Sequence, residues 1–503
     1  HVPLMSTFWL SSKKGSEAYL EPVVDRAAGT WRFAVRTGPP RDREAVRAGT
    51  KTGRGQFRCL LTGDPITGAH IKAEGKAGRL GARLVAIVAD TGRGRVYLPA
   101  SLEQIKAARS ADPSGFPESD LPGAALGFRV QNYGIRQHWQ MFTARQLTAM
   151  VTLSDLVREV HEDVRRDALA AGLSDAEAAE YARAVVTFLA LALDRCVDFN
   201  CALSRWKPSG QEQMQLFGRQ AIPMVWDFAE ANLLGEKAIC WLNAVDICAE
   251  AVETILAAGT AALPGHARQL DAASTWDGLK DVFVSTDPPY YDNIGYAALS
   301  DFFYVWLRRT IGDLYPDLFA TILVPKEPEL VAAPERFGGD RYRAKEHFEA
   351  GFRRAFAALR EKMDPRFPLT VYYAFKQDDE ESGADEEEGN GGNGNGNRVD
   401  RTTGWETMLT ALIETGFQIT ATWPVRASLA SRLRARGSNA LASYIVLACR
   451  PRPADAPETD RRSFVAELKR ELPAALNKLQ QGGIAPVDFA QAAIGPGMAI
   501  YSK

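Results

Sequence analysis

Val282-Phe283-Val284-Ser285-Thr286-Asp287-Pro288-Pro289-Tyr290-Tyr291-Asp292-Asn293-Ile294-Gly295-Tyr296 begins as a short apolar strand and ends where a helical pattern starts. Two consecutive prolines supply no backbone donors and cannot continue a sheet, so they turn the chain rigidly off the strand's carboxyl end. In an open α/β sheet that end is where ligands bind. The turn presents the Asp287 carboxylate and the Pro288 carbonyl as acceptors, with Pro289 fixing their geometry and the Tyr290 ring beside them. The alternative for the same residues is a proline-stiffened loop with a helix-capping Asp.

Two acceptors and an aromatic ring are the parts required for chemistry on an amino group attached to an aromatic base. Such an NH₂ has its lone pair delocalised into the ring. Held by two acceptors that bend it towards sp³, it can attack a methyl group. Stacking of the base on Tyr290, worth on the order of 1–3 kcal/mol, offsets part of the cost of flipping a base out of a duplex. Sixteen residues upstream of Asp287, HARQLDAAS reads as a strand end followed by Asp271. An acid there would contact the adenine moiety of S-adenosylmethionine; the other reading is a cap or turn. Asp271 and Asp287 are therefore the candidate cofactor contacts.

Outward from this stretch the pattern alternates. KDVFVST, LTVYYAF, FQITATWP and ASYIVLAC read as strands, and YAALSDFFYVWLRRTI, HFEAGFRRAFAALREKM and WETMLTALIETG as helices. Strands alternating with helices imply an α/β sheet packed on both faces. Within it, residues 378–400 contain eight acidic residues in the first eleven positions and then a Gly/Asn run, which predicts a self-repelling, disordered loop. Upstream, Phe142–Phe199 carries apolar residues at helical spacing, broken by a turn near Gly172–Ser174, and 235–260 carries another helical stretch. Residues 1–110 are β-rich; LVAIVADTGRGRVYLP reads as two strands joined at Thr91–Gly94.

The predicted architecture is thus an α/β, Rossmann-like methyltransferase sheet, incomplete, with a basic β-rich segment at 1–111, a mainly helical insertion at 112–265, the catalytic half at 266–452 and a helical segment at 453–503. At 503 residues several domains are expected. No run of eighteen apolar residues occurs, so no membrane partner is expected. The six cysteines, at 59, 196, 201, 240, 248 and 449, are too few and scattered for a disulfide framework, which points to the cytoplasm. The first residue is His1, and the chain reads as part of something longer.

Charge is unevenly spread. Residues 1–110 hold nineteen Lys/Arg against nine Asp/Glu, while the whole chain has a net charge of −2. A basic segment on a neutral body suits DNA phosphates through counterion release, or is an ordinary solvated surface. Trp206 and Lys207, and Arg432, Arg434 and Arg436, are candidate phosphate contacts. Asp227 and Glu230 in MVWDFAEAN either line the crevice or are surface carboxylates. Cys196, Cys201, Cys240 and Cys248 fit no zinc-knuckle spacing and read as core cysteines.

VPLMSTFWLSSKKG, AEGKAGRLGARLVAIV, FRVQNYGIRQHW, FTARQLTAM, IPMVWDFAEAN, TDPPYYDNIGYAALSDFFYVWLRR, GWETMLTALIETGF, SNALASYIVLACRPR and AAIGPGMAIYSK span almost the whole chain. On these motifs it resembles the large adenine-specific DNA methylases that contain a zinc ribbon, found in bacteria and archaea and often near defence genes. The resemblance implies S-adenosylmethionine-dependent transfer of methyl to the exocyclic amine (N6) of adenine in DNA, with Asp287, Pro288, Pro289 and Tyr290 as the catalytic turn. Two departures stand out. A Gly-rich methionine-binding loop and a ribose-binding acid are missing, which suggests an upstream segment or subunit that carries them; LVAIVADTGRGR mimics such a loop, but Arg95-Val96-Tyr97-Leu98 continues as a strand where a helix is required. The second Cys-x-x-Cys of the zinc ribbon reads Cys59-Leu60-Leu61-Thr62, so zinc is not expected. Rival readings are an RNA or cytosine-N4 methyltransferase with the same turn, and a non-catalytic DNA-binding subunit of a defence system.

Overall fold

The computed structural model describes residues 1–92, 94–236, 239–257, 265–274, 276, 278–292, 294–373, 404–426, 443–481 and 495–502. The expected acidic loop at 378–400 and Arg432, Arg434 and Arg436 lie outside the described residues. By its internal contacts the chain divides into two units, His1–Ala267 with Tyr296–Glu327, and Arg268–Gly295 with Pro328–Lys503. The division runs through the stretch 266–452 that the sequence suggests is one catalytic half, because the helix that follows the Pro-Pro turn groups with the first unit.

The first unit starts with β1 (Trp9–Ser11), β2 (Ala18–Asp25) and β3 (Thr30–Thr37), an antiparallel sheet. Then come α1 (Arg43–Ala48), a small sheet of β4 (Lys51–Gly53), β5 (Gln56–Arg58) and β6 (Pro65–Ile66), α2 (Gly68–Lys76), the hairpin β7 (Ala86–Asp90) with β8 (Arg95–Pro99), and α3 (Leu102–Arg109). The hairpin is the one expected at LVAIVADTGRGRVYLP, with Asp90 opposite Arg95. Phe8, Trp9, Leu20 and Val46 form the local core.

The two long helices appear as α4 (Ala144–Ala170) and α5 (Asp175–Phe199). Each starts at a reciprocal capping box, Thr143 with Gln146 and Ser174 with Glu177, which satisfies amides that a helix start leaves open. The hairpin β9 (Trp206–Lys207) with β10 (Glu212–Gln213), α6 (Trp241–Ala257) and α7 (Tyr296–Ile311) complete the unit. Val157, Val186, Ala190 and Ile311 interlock α4, α5 and α7, each such burial contributing roughly 1–3 kcal/mol. Inside this packing, the fully buried Asp301 of α7 accepts from Lys326 Nζ at 2.5 Å and Val324 N at 2.9 Å.

The second unit is built on β11 (Ser285–Thr286), β12 (Leu369–Tyr373), β13 (Phe417–Arg426) and β14 (Ser443–Pro451), in the spatial order β11-β12-β14-β13. β11 runs parallel to β12, and β14 is antiparallel to both β12 and β13, so β11, β12 and β13 share one direction with β14 reversed between the last two. Helices α8 (Arg341–Lys362) and α9 (Gly404–Glu414) follow β11 and β12 in the chain. Leu369, Val371 and Tyr373 of β12, with Ile445 and Leu447 of β14, lie in one core with Phe348, Phe352 and Phe356 of α8 and Met408 and Leu412 of α9. Helix α10 (Arg461–Gln481) and the helical residues 495–502 close the unit, the latter bonded to β13 through Ser502 Oγ and Ile419 N at 2.8 Å. The expected strand KDVFVST is shortened: only Ser285 and Thr286 are ladder residues, preceded by an isolated parallel bridge from Val282 to Met363. Asp281, at φ +52°, breaks the extended run on one side and the prolines on the other.

Candidate active site

The chain entering the turn is held by alternate residues. Val282 N donates to Lys362 O at 3.1 Å, Asp364 N to Val282 O at 2.9 Å, and Thr370 N to Val284 O at 3.1 Å. Thr286 lies opposite Val371 and is the last ladder residue of β11, so the turn leaves the sheet at the carboxyl end of β11, which runs parallel to β12.

Asp287 is exposed, while Pro288, Pro289 and Tyr290 are half-buried. The Tyr290 hydroxyl donates to Asp287 Oδ1 at 2.7 Å. Its ring meets the fully buried Tyr373 edge-on, with centroids 5.2 Å apart and planes at 84°, a favoured aromatic geometry. Tyr291 has φ +38°. A bulky residue in the left-handed region costs on the order of 1–3 kcal/mol and persists only where its surroundings impose it. Here they do: its ring stands edge-on to Phe348 at 5.1 Å, and its carbonyl accepts from Ala332 N at 2.9 Å. Burial raises the Tyr291 phenol above its ordinary range, with Asp292 and Glu349 adding to it. Tyr373 is raised by burial first, then by Asp292 and Tyr291.

Sequence reasoning missed Tyr373. It lay inside LTVYYAF, read only as a strand; the available signal was an aromatic residue at the carboxyl end of the strand neighbouring the turn. Trp276 was also missed. It packs on the same core, and among the described residues its buried indole N–H has no hydrogen-bond partner.

Asp271 differs from expectation. The strand that would end there is not formed: residues 265–271 have no regular structure, and Asp271 is exposed. Its Oδ1 accepts from Ala273 N at 2.8 Å and its carbonyl from Ser274 Oγ at 2.7 Å, the self-closing turn typical of Asp. Among the described residues β11 pairs with no strand other than β12. The turn therefore has one wall of a crevice, and the described residues do not fit an S-adenosylmethionine molecule.

The other candidates have structural partners in the first unit. Asp227 accepts from Ser6 N at 3.2 Å; burial raises its carboxyl, and the Ser6 bonds and Lys51 act against that. Glu230 takes a two-pronged hydrogen bond from Arg145, at 2.9 and 2.7 Å. Both carboxylates are half-buried, and each is hydrogen-bonded within the first unit. Trp206 Nε1 donates to Leu10 O at 2.7 Å, and Lys207 pairs with Glu212 at 2.6 Å. Cys196, Cys201 and Cys240 are buried and Cys248 half-buried; burial pushes Cys196 up to about 12 and Cys201 to about 11.

Between β5 and β6 the chain makes a knuckle-like turn. Gly63 N donates to Cys59 O and Cys59 N to Asp64 O, both at 2.9 Å, with Gly63 at φ +83°. Burial raises the Cys59 thiol, but hydrogen bonds involving Thr62 and Leu61 outweigh it and leave the thiol below its ordinary value. Among the described residues no three His, Cys, Asp or Glu side chains converge as a metal-ligand set. One thiolate does not fit tetrahedral zinc.

No family model, curated protein or solved structure matches the chain.

Proposed function

We propose that this chain carries the amine-holding turn of an S-adenosylmethionine-dependent methyltransferase that acts on the exocyclic N6 amine of adenine in DNA. The observation that carries the reading is the exposed Asp287 carboxylate at the end of β11, oriented by the Tyr290 hydroxyl at 2.7 Å. In this reading Asp287 and the Pro288 carbonyl accept the two amine hydrogens, Pro289 locks the turn, and Tyr290 takes the face of the flipped base. The amine needs no strong base, because an aryl ammonium product is acidic and loses its proton to solvent. The sheet adds support: a reversed last strand between two parallel ones is the order expected for the carboxyl-terminal half of a Rossmann-like methyltransferase sheet, and β12-β14-β13 has it.

A second reading has its own support. β11 lies at the edge of the described sheet, which favours a non-catalytic DNA-binding subunit, or an enzyme whose cofactor pocket is completed by another segment. The test is replacement of Asp287 by Ala in the native host. Loss of N6-methyladenine from DNA, with unchanged protein level and melting temperature, is the expected outcome. Unchanged methylation would remove Asp287 from the chemistry, and loss of N4-methylcytosine instead would reassign the base.

A further inference from the structure

Three turns distant in sequence meet on one surface of the first unit. Ser12 N donates to Pro208 O at 3.1 Å, and Gln211 Nε2 bridges Ser11 Oγ and Tyr97 Oη, each at 2.9 Å. These bonds fasten the β1–β2 turn to β8 and to the β9–β10 hairpin. In the β1–β2 turn Ser16 N donates to Lys13 O at 3.0 Å with Gly15 at φ +80°, a type II geometry that Gly permits. Lys13 and Lys14 are exposed on this turn, and among the described residues neither has an ion-pair partner. Beside them the Arg95 guanidinium lies 5.8 Å from the Trp206 ring. Lys207 is paired with Glu212 at 2.6 Å and adds no net charge. Of the acids nearby, Glu17 accepts from Gly15 N at 2.9 Å, and Asp90, opposite Arg95 in the β7–β8 hairpin, accepts from Gly92 N at 2.9 Å.

We propose that this surface, formed by Lys13, Lys14 and Arg95 on a scaffold that includes Trp206, binds the phosphate backbone of duplex DNA. Lys13 and Lys14 present their charges without an ion-pair partner among the described residues, and the main chain beneath them is tied by hydrogen bonds. Two lysines on flexible stems follow phosphates as point charges, while Arg95, its guanidinium carbon 5.8 Å from the Trp206 ring centroid, offers a planar fork of N–H donors. Such contacts position a duplex without reading its sequence. That the polyanion is DNA rests on the proposed function; the surface itself does not.

The test is fluorescence anisotropy of a labelled duplex with the whole chain across a series of salt concentrations. Lys13→Glu/Lys14→Glu should weaken binding by on the order of 50-fold at 0.1 M salt and reduce the slope of log K against log salt by about 2. Its melting temperature should match wild type, since both side chains are exposed. Arg462→Glu/Lys469→Glu on α10 makes the same charge change elsewhere and should have a much smaller effect. An unchanged affinity and slope, an equal loss in the α10 control, or preference for a duplex RNA probe would each overturn the proposal. The anisotropy reads duplex binding without methyl transfer, so unchanged methylation in Asp287→Ala and unchanged affinity in Lys13→Glu/Lys14→Glu are separate results, and failure of the catalytic reading and failure of this one are distinguishable.

Discussion

The Tyr290 hydroxyl and Asp287 Oδ1 are 2.7 Å apart, joined across the Pro-Pro turn. Under the proposed function Tyr290 has two separable tasks, to aim the carboxylate through its hydroxyl and to offer its ring to a base. Removing only the hydroxyl in Tyr290→Phe forfeits a hydrogen bond to a charged group, worth roughly 1.5–3 kcal/mol, and keeps the ring. Methylation in the native host should therefore fall by about 10- to 100-fold in Tyr290→Phe and further in Tyr290→Ala. Equal activity of the two variants would show that the ring does not take part.

How much of this was legible in the sequence depended on whether the information was local. The α4 and α5 boundaries follow from Thr143/Gln146 and Ser174/Glu177, pairs three residues apart that announce a helix start. The turn at Asp287 was equally legible, since two prolines act on their own backbone. Asp227 with Ser6 and Glu230 with Arg145 join positions 221 and 85 residues apart, and no local pattern announces such pairs. Tyr373 needed the β11–β12 register, which only the folded sheet supplies. The strand expected before Asp271 was ambiguous because an Asp beside small residues suits both a strand end and a self-closing turn, and among the described residues nothing pairs with 265–270 to make a strand.

Thiol reactivity should follow the environments of the cysteines. Cys59 is half-buried with its thiol lowered by hydrogen bonding at the Thr62 turn, whereas burial pushes Cys196 and Cys449 up to about 12 and Cys201 to about 11, and raises Cys248 as well. Only the thiolate is an effective nucleophile. Brief alkylation of the native protein near neutral pH, read by peptide mass spectrometry, should modify Cys59 first. Earlier modification of Cys196 or Cys201 would mean that the helical core around α5 opens readily.

Asp194 of α5 gives a pH dependence with a definite sign. Its Oδ1 is buried without a partner among the described residues, and burial, with Asp198 adding, raises its carboxyl well above 3.8. Below pH 3.8 the folded and unfolded chains both hold the proton. Above it the unfolded chain releases the proton and the folded one keeps it, so this group lowers stability as pH rises towards its folded value. Asp194→Asn cannot ionise in either state. Its melting temperature relative to wild type should climb between acid and neutral pH; a difference that stays flat across that range would show that Asp194 ionises alike in both states.

Cofactor affinity tests whether the crevice has a second wall. Residues 283 and 285 alternate with those that bond towards β12, so their backbone groups point to the open side of β11, and Phe283 is 63% exposed there. Tyr372 and Trp423, which flank Val446 on one face of the sheet, are 40% and 52% exposed. Mostly parallel sheets are ordinarily covered on both faces, and their ligands sit where strand order reverses. Neither condition is met among the described residues, and Asp271 Oδ1 accepts from Ala273 N in its own turn. Isothermal titration of the 503-residue chain with S-adenosylmethionine should therefore show no binding in the micromolar range. Adding a polypeptide with a strand, a Gly-rich loop and a helix, in cis or in trans, should restore binding if the proposed function is right. Micromolar affinity of the chain by itself would show that the pocket is complete without such a segment and that the open side of β11 has another use.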